Sequence, residues 1–332
     1  MVQLLDCTLR DGAHVNKGRF GYDNIQSVAS GLTKAGLDIV ELGFLQNVDY
    51  DRDTSYFPQI ERAYDILSQI ETREEVDYAL MARADEYDLS GLSDCNGKIK
   101  YIRVAFYYDY LDKAMEFAKK VMAKGYRITF NVINTPGNSV EDLGRVVDYA
   151  NEIRPDILTI VDTFGVLSMK ELSAFLDKYD RELDLGVKIG LHVHENLALA
   201  FSLAQGCIDY VKPERNIVID GSLLGMGRIP GNLCTELIAD YMNETFGKDY
   251  GLADILPLID NIIAPIKKEI PWGYSPAYFL SAKYRIHRSY SEYLLKERVP
   301  LDVMNRLLGS VDKAHAGKFD KDYMNSLMEK IK

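Results

Sequence analysis

No stretch of roughly 18 apolar residues occurs in the chain, which excludes a membrane-spanning helix. No C-x-x-C pair occurs either: Cys7, Cys95, Cys207 and Cys234 are the 4 cysteines, and they are scattered. They read as small buried apolar residues rather than nucleophiles, and their use fits a reducing cytoplasm. The first residues, Met1-Val2-Gln3-Leu4-Leu5-Asp6, reach a charge too soon for a signal peptide. Runs of basic residues with interleaved aromatics are missing. With a formal net charge of −11, that speaks against a nucleic-acid surface. The expectation is a cytoplasmic protein with no nucleic-acid and no membrane partner. So acidic a chain takes small anionic substrates only where a site concentrates positive charge, as a metal plus an arginine would.

What is present is an ordinary globular composition, 47% hydrophobic and 27% charged over 332 residues. That length suffices for a sizeable core and for one large domain or two ordinary ones. Short β-rich runs alternate with longer amphipathic stretches. The strands expected are Gln3–Cys7, Ile39–Gly43, Tyr78–Ala82, Tyr101–Phe106, Arg127–Ile133, Ile157–Val161, Lys188–His192 and Ile217–Asp220. Helical patterns lie between them, including Asn24–Ala35, Tyr110–Ala123, Val140–Ile153, Met169–Tyr179 and Leu197–Val211. Gly36 and Gly125 follow helices, Ser139 and Ser168 suit N-caps, and Ser139 through Asp142 has capping-box spacing. Such alternation predicts a parallel (β/α)8 TIM barrel, which fills about 250 residues; an open doubly wound sheet is the rival. Residues 1–250 are expected to form the catalytic barrel. Residues 251–332 are expected to form a helical C-terminal extension packed on it. The tyrosines crowding Tyr274–Tyr293 read as packing or subunit interface.

Three of the 5 histidines fall in two dense segments, Asp6-Cys7-Thr8-Leu9-Arg10-Asp11-Gly12-Ala13-His14 and Gly190-Leu191-His192-Val193-His194-Glu195-Asn196. Side chains two apart on a strand share a face, so His192 and His194 can reach one ion. Asp11 would complete a two-histidine, one-carboxylate set suited to a divalent cation. Barrel chemistry sits at the C-terminal ends of the strands. Arg10, Asp11, His14, Glu41, Asp162, Thr163, His192, His194 and the segment Asp220–Asn232 all fall there. Arg10 can hold a carboxylate or enolate oxygen with paired N–H donors. His14 titrates near neutrality and suits a general base. The Gly-rich loop through Gly225 and Gly227 can present backbone N–H groups to an anion, but matches neither a P-loop nor G-x-G-x-x-G. Thr163, Gly225 and Gly227 are therefore expected to help bind substrate. Glu41, Glu195 and Asn196 are secondary candidates, Asn196 being equally a helix N-cap.

Together these motifs resemble the metal-dependent pyruvate aldolase and acyl-CoA lyase/synthase superfamily over about Val2 to Phe246, with the 4-hydroxy-2-oxovalerate aldolase branch nearest. The resemblance implies Asp11, His192 and His194 as metal ligands, with Asn232 as a further one. It implies Mn²⁺ first, or Mg²⁺, Co²⁺ or Zn²⁺. It implies Arg10 as enolate stabiliser, His14 as catalytic base and a C-terminal tyrosine, placed on Tyr278 or Tyr274. Glu195 and the segment Val15–Phe20 depart from the aldolase pattern, which bears on the aldehyde more than on the reaction. The expected activity is metal-dependent cleavage or formation of a 4-hydroxy-2-oxoacid from pyruvate enolate and an aldehyde, by a homo-oligomer. An aldehyde dehydrogenase partner does not follow from barrel motifs. The alternatives are an acetyl-CoA-dependent synthase of the isopropylmalate synthase type and a non-catalytic barrel scaffold; a scaffold has no need of Arg10, Asp11, His14, His192 and His194 together.

Overall fold

A computed structural model describes residues 1–331. Its strands are β1 (Val2–Asp6), β2 (Ile39–Leu45), β3 (Tyr56–Phe57), β4 (Asp77–Arg83), β5 (Tyr101–Tyr107), β6 (Arg127–Ile133), β7 (Ile157–Asp162), β8 (Lys188–Val193) and β9 (Ile217–Gly221). All pair in parallel, in the order β1-β9-β8-β7-β6-β5-β4-β2, and a β1–β2 pairing closes the ring. The closed ring decides for a (β/α)8 barrel over an open sheet, and its strands are the eight expected from the sequence. The two-residue β3 lies outside it, on the end of β2. Gly43 permits that approach: at φ +149°, a Cβ there would sit 2.1 Å from the Ser55 carbonyl oxygen.

Local chemistry sets the helices. Ser139 and Ser168 each accept from the backbone N–H three residues on, while Asp142 and Glu171 return the bond, so two capping boxes open the helices Val140–Ile153 and Met169–Glu182. Between β4 and β5 only a 3₁₀ turn, Leu89–Gly91, replaces a crossover helix. That segment is rich in Asp, Ser, Asn and Gly, which favour turns, and lacks a helical apolar period.

Alternation along the strands builds the barrel interior in layers. Leu5, Ile39, Ala79, Tyr101, Ile157 and Val218 form an apolar plug. Two residues further along their strands, Glu41, Arg103 and Asp220 place buried charge directly above it. The opposite strand faces pack against the helices in the main core, which reaches as far as Trp272. Beyond it, Ala277, Leu280, Ile286, Tyr290, Leu294 and Met304 belong to a separate small core among the C-terminal helices. The tyrosines there serve packing: the Tyr290 hydroxyl donates to the carbonyls of His315 and Lys318, and Tyr293 to Asn325. Among the described residues, no helix is long and apolar enough to cross a membrane.

Candidate active site

At the C-terminal mouth of the barrel, residues distant in sequence meet around Asp11. The chain leaves β1 through two single-turn helices, Thr8–Asp11 and Ala13–Asn16, which turn Arg10, Asp11 and His14 over the barrel. Thr8 ties this corner to the loop after β9 by accepting from the Leu223 N–H at 2.7 Å. His192 ends β8, and His194 is drawn inward by a bridge with Asn232. The two rings stand 5.0 Å apart, as the H-x-H parity predicts.

Asp11 Oδ2 lies 3.2 Å from His192 Nε2 and 3.6 Å from His194 Nε2, and accepts from Asn232 Nδ2 at 2.7 Å. Its other oxygen lies 3.3 Å from an Arg10 terminal nitrogen and 3.6 Å from His14 Nε2. Burial alone would push the Asp11 carboxyl up, but Arg10 and the two imidazoles outweigh it and hold it well below the usual carboxylate range. Asp11 is therefore ionised at neutral pH.

The outer contacts orient the imidazoles. His194 Nδ1 is 2.9 Å from the Asp162 carbonyl oxygen. A carbonyl only accepts, so Nδ1 carries the proton and Nε2 presents a bare lone pair. Burial pushes this imidazole down to about 3, so it stays neutral. His192 Nδ1 is 3.1 Å from Asp220 Oδ2, off the line of a good hydrogen bond, so this contact is chiefly ionic. Burial would lower the His192 pKa, but Asp11 and Asp220 raise it. Asp220 also binds Arg103, which donates to Glu41 at 2.7 Å and to the Asn131 amide oxygen at 3.3 Å; Glu41 in turn accepts from Arg10 Nε at 2.9 Å. The chain Arg10–Glu41–Arg103–Asp220–His192 is a buried network of alternating sign that holds the mouth from below.

Among the buried acceptors without a donor in the described residues are His194 Nε2 and Asn232 Oδ1. Both belong to side chains that touch Asp11. Lone pairs left bare beside a carboxylate are costly unless a cation or water meets them, so the donor set Asp11, His192, His194 and Asn232 fits a divalent cation. A second grouping, Cys7, Asp11 and His192, also has its ligand atoms within 4.8 Å of one another. Cys7 is the poorer ligand, because its thiol donates to the Gly221 carbonyl and burial pushes its pKa well up.

Beside this cluster lies a cavity with about 740 Å³ of empty space, its open mouth included. Arg10, His14, Thr163, His192 and His194, all candidates from the sequence, line it. Thr163 accepts from the Asn134 N–H at 2.8 Å, which leaves its own hydroxyl proton free for a ligand. His14 packs edge-on against Phe44. The crowded wall and Arg228 hold His14 below its ordinary pKa, and water screens part of that effect because 30% of the side chain is exposed. Gly225 and Gly227 do not line the cavity: they make room for Asn232, whose amide fills the place a Cβ on Gly227 would take. Tyr278 does not line it either, being buried near Glu292 and Arg288 with its hydroxyl pushed up to about 12, and Tyr274 is exposed on the surface.

Sequence reading missed Arg103, Arg83 and Arg228. Arg103 had a signal, a lone charge inside the apolar run Tyr101–Phe106, which in a buried strand demands partners. Arg83 and Arg228 lie in turn-rich segments where an arginine is unremarkable.

Comparison with known proteins agrees with this geometry. The HMGL-like family model matches residues 1–253. The chain is 25% identical over 277 residues to 4-hydroxy-2-oxovalerate aldolase 4 of Rhodococcus opacus, covering 81% of this chain and 76% of that protein. It is 23% identical over 243 residues to oxaloacetate decarboxylase of Mycobacterium tuberculosis, covering 71% and 68%. Among solved structures, the N-terminal domain of a Bacteroides vulgatus protein provisionally assigned as an aldolase superimposes with a TM-score of 0.76 at 22% identity, covering 92% of this chain and 99% of that one. That likeness speaks for the fold alone.

Proposed function

The chain belongs to the HMGL-like family and is a carbon–carbon lyase, and on that footing we propose that it is a divalent-metal-dependent aldolase acting on a 4-hydroxy-2-oxoacid. The relatives named 4-hydroxy-2-oxovalerate aldolase support the reaction type. The observation that carries the metal is the pair of bare acceptors, His194 Nε2 and Asn232 Oδ1, beside ionised Asp11. A cation held by Asp11, His192, His194 and Asn232 would polarise the 2-oxo group as a Lewis acid.

The chain's own groups do the rest. Arg10 Nε is spent on Glu41, and one terminal nitrogen faces Asp11. The other is buried without a partner at the cavity wall, free to bind the substrate carboxylate or the enolate oxygen. Neutral His14 accepts the 4-hydroxyl proton. The C3–C4 bond breaks, its electron pair passes to C3 as the enolate forms, and an aldehyde departs. A proton returned to C3 completes pyruvate, and the same steps reversed join pyruvate to an aldehyde.

The test is exchange of the pyruvate methyl protons in D₂O, followed by NMR. Exchange should require added Mn²⁺ and be abolished by His192→Ala. Metal-independent exchange, or none with Mn²⁺ present, refutes the reading. Absence of exchange with turnover of acetyl-CoA and a 2-oxoacid would point to a synthase instead.

A further inference from the structure

Four arginines line the cavity, and three of them are neutralised. Arg10 faces Asp11 and Glu41, Arg103 is held by Glu41 and Asp220, and Arg83 forms a fork with Asp85 and a contact with Glu86 at 3.2 Å. Arg228 differs. It is half-buried, and no carboxylate lies within 4.0 Å of its guanidinium among the described residues. The neighbouring backbone is pinned: Arg288 donates to the Ile229 carbonyl at 2.9 Å, and Gly273 N–H to the Pro230 carbonyl at 2.6 Å. Arg288 has one acid, Glu292 at 2.8 Å, and its buried Nε has no partner. Arg228 and Arg288, which binds the backbone of the next residue, thus have a single carboxylate between them among the described residues. A further anion is what this corner lacks, in a protein whose overall charge is −11.

The position of Arg228 says which part of a substrate would meet it. Arg228 lines the same cavity as His14, the group that would take the 4-hydroxyl proton. Groups carried on C4 come to the His14 side, while the 2-oxoacid end lies toward Arg10 and Asp11.

Resting on the aldolase reading above, we propose that Arg228 binds a second carboxylate on the C4 side, so that the substrate is a dianionic 4-hydroxy-2-oxoacid and the carbonyl product is itself an acid. A planar guanidinium matches a carboxylate with two parallel N–H donors. In the cleavage direction the C3–C4 bond breaks with its electron pair passing to C3. The hydroxyl proton passes to His14, and the carboxylate leaves on the carbonyl fragment, with no oxidant or co-reactant required.

The experiment compares kcat/KM of the Mn²⁺-loaded enzyme for 4-hydroxy-2-oxoglutarate, the dianion, with that for 4-hydroxy-2-oxovalerate, the monoanion. The dianion should be preferred at least tenfold, Arg228→Gln should bring the ratio to within threefold of unity, and Arg228→Lys should restore part of it. A preference for the monoanion, or a ratio that Arg228→Gln leaves unchanged, overturns the proposal. Pyruvate methyl exchange separates the two levels, because pyruvate carries no C4 group. Exchange without a dianion preference removes the Arg228 subsite and spares the aldolase reading; loss of exchange removes both.

Discussion

Gly227→Ala should uncouple the Gly-rich loop from the metal-binding cluster, although residue 227 touches neither the cavity nor Asp11. Gly227 is outside the positive-φ set, so alanine suits its backbone and the effect is steric. A Cβ there would lie 2.3 Å from Asn232 Nδ2, 2.6 Å from Cγ and 2.8 Å from Oδ1. The amide has little room to retreat, since it is 1% exposed and bonded to Asp11 at 2.7 Å. Overpacking costs about 1–3 kcal/mol. Losing a hydrogen bond to a charged group adds about 1.5–3 kcal/mol. A total of about 2.5–6 kcal/mol is expected from denaturant unfolding of the metal-free protein. Asn232→Ala alone should cost about 1.5–3 kcal/mol, for the lost bond to Asp11. In the double variant the obstructed amide is gone, so the total should match Asn232→Ala alone and the coupling should approach the whole cost of Gly227→Ala. All three variants should lose at least about 10–100-fold in Mn²⁺ affinity by calorimetry, because each disturbs Asn232, which both orients Asp11 and would itself hold the cation. Costs that add to within about 0.5 kcal/mol would refute the reasoning.

Arg103→Met should destabilise the fold by about 3–5 kcal/mol, because it leaves buried Glu41 with Arg10 alone and buried Asp220 with His192 alone; adding Glu41→Gln and Asp220→Asn should recover much of it, and a cost below about 1 kcal/mol would contradict the network. Burial raises the Asp162 carboxyl to about 6 from its usual 3.8, with its two backbone N–H bonds acting the other way. The folded state therefore binds a proton between those values that the unfolded state does not. This contribution is full below about pH 4 and gone above about pH 6, and is worth at most about 3 kcal/mol. Asp162→Asn should lack that gain when urea midpoints at pH 4.5 and 7.5 are compared with wild type; parallel curves would refute it. Mn²⁺ at 100 times its dissociation constant should stabilise the protein by about 2.7 kcal/mol. Chelator should reverse the gain and His194→Ala abolish it in thermal scans, and a gain that survives His194→Ala places the cation elsewhere.

Much of this was legible in the chain because it is local. Strand existence follows from short β-rich runs, and both capping boxes from a serine and an acid three residues on. The shared face of His192 and His194 follows from a two-residue strand period. The crossover between β4 and β5 kept no helix because its turn-forming residues carry no apolar period, which the alternation of neighbouring units conceals. The assignment of Gly225 and Gly227 to anion binding rested on composition, whereas their observed task depends on Asn232 packing back from the end of the same loop. Tyr278 could not be placed, because the course of the C-terminal helices depends on long-range contacts such as Arg285 with Glu171.

The sequence by itself determined the alternating architecture, the ionisable residues at the strand ends and the candidate ligands, since periodicity and residue chemistry need no partner from afar. Only the tertiary structure decided which charges are spent and which are free. Ring closure brings Arg103 between Glu41 and Asp220, and sets the Asp162 carbonyl against His194 so that its Nε2 is left bare. It also leaves Arg228 lining the cavity with no carboxylate within 4.0 Å of its guanidinium among the described residues. A guanidinium's role depends on the carboxylates within a few ångströms of it, and in a barrel those come from strands 60 or more residues away, as Glu41 and Asp220 do for Arg103.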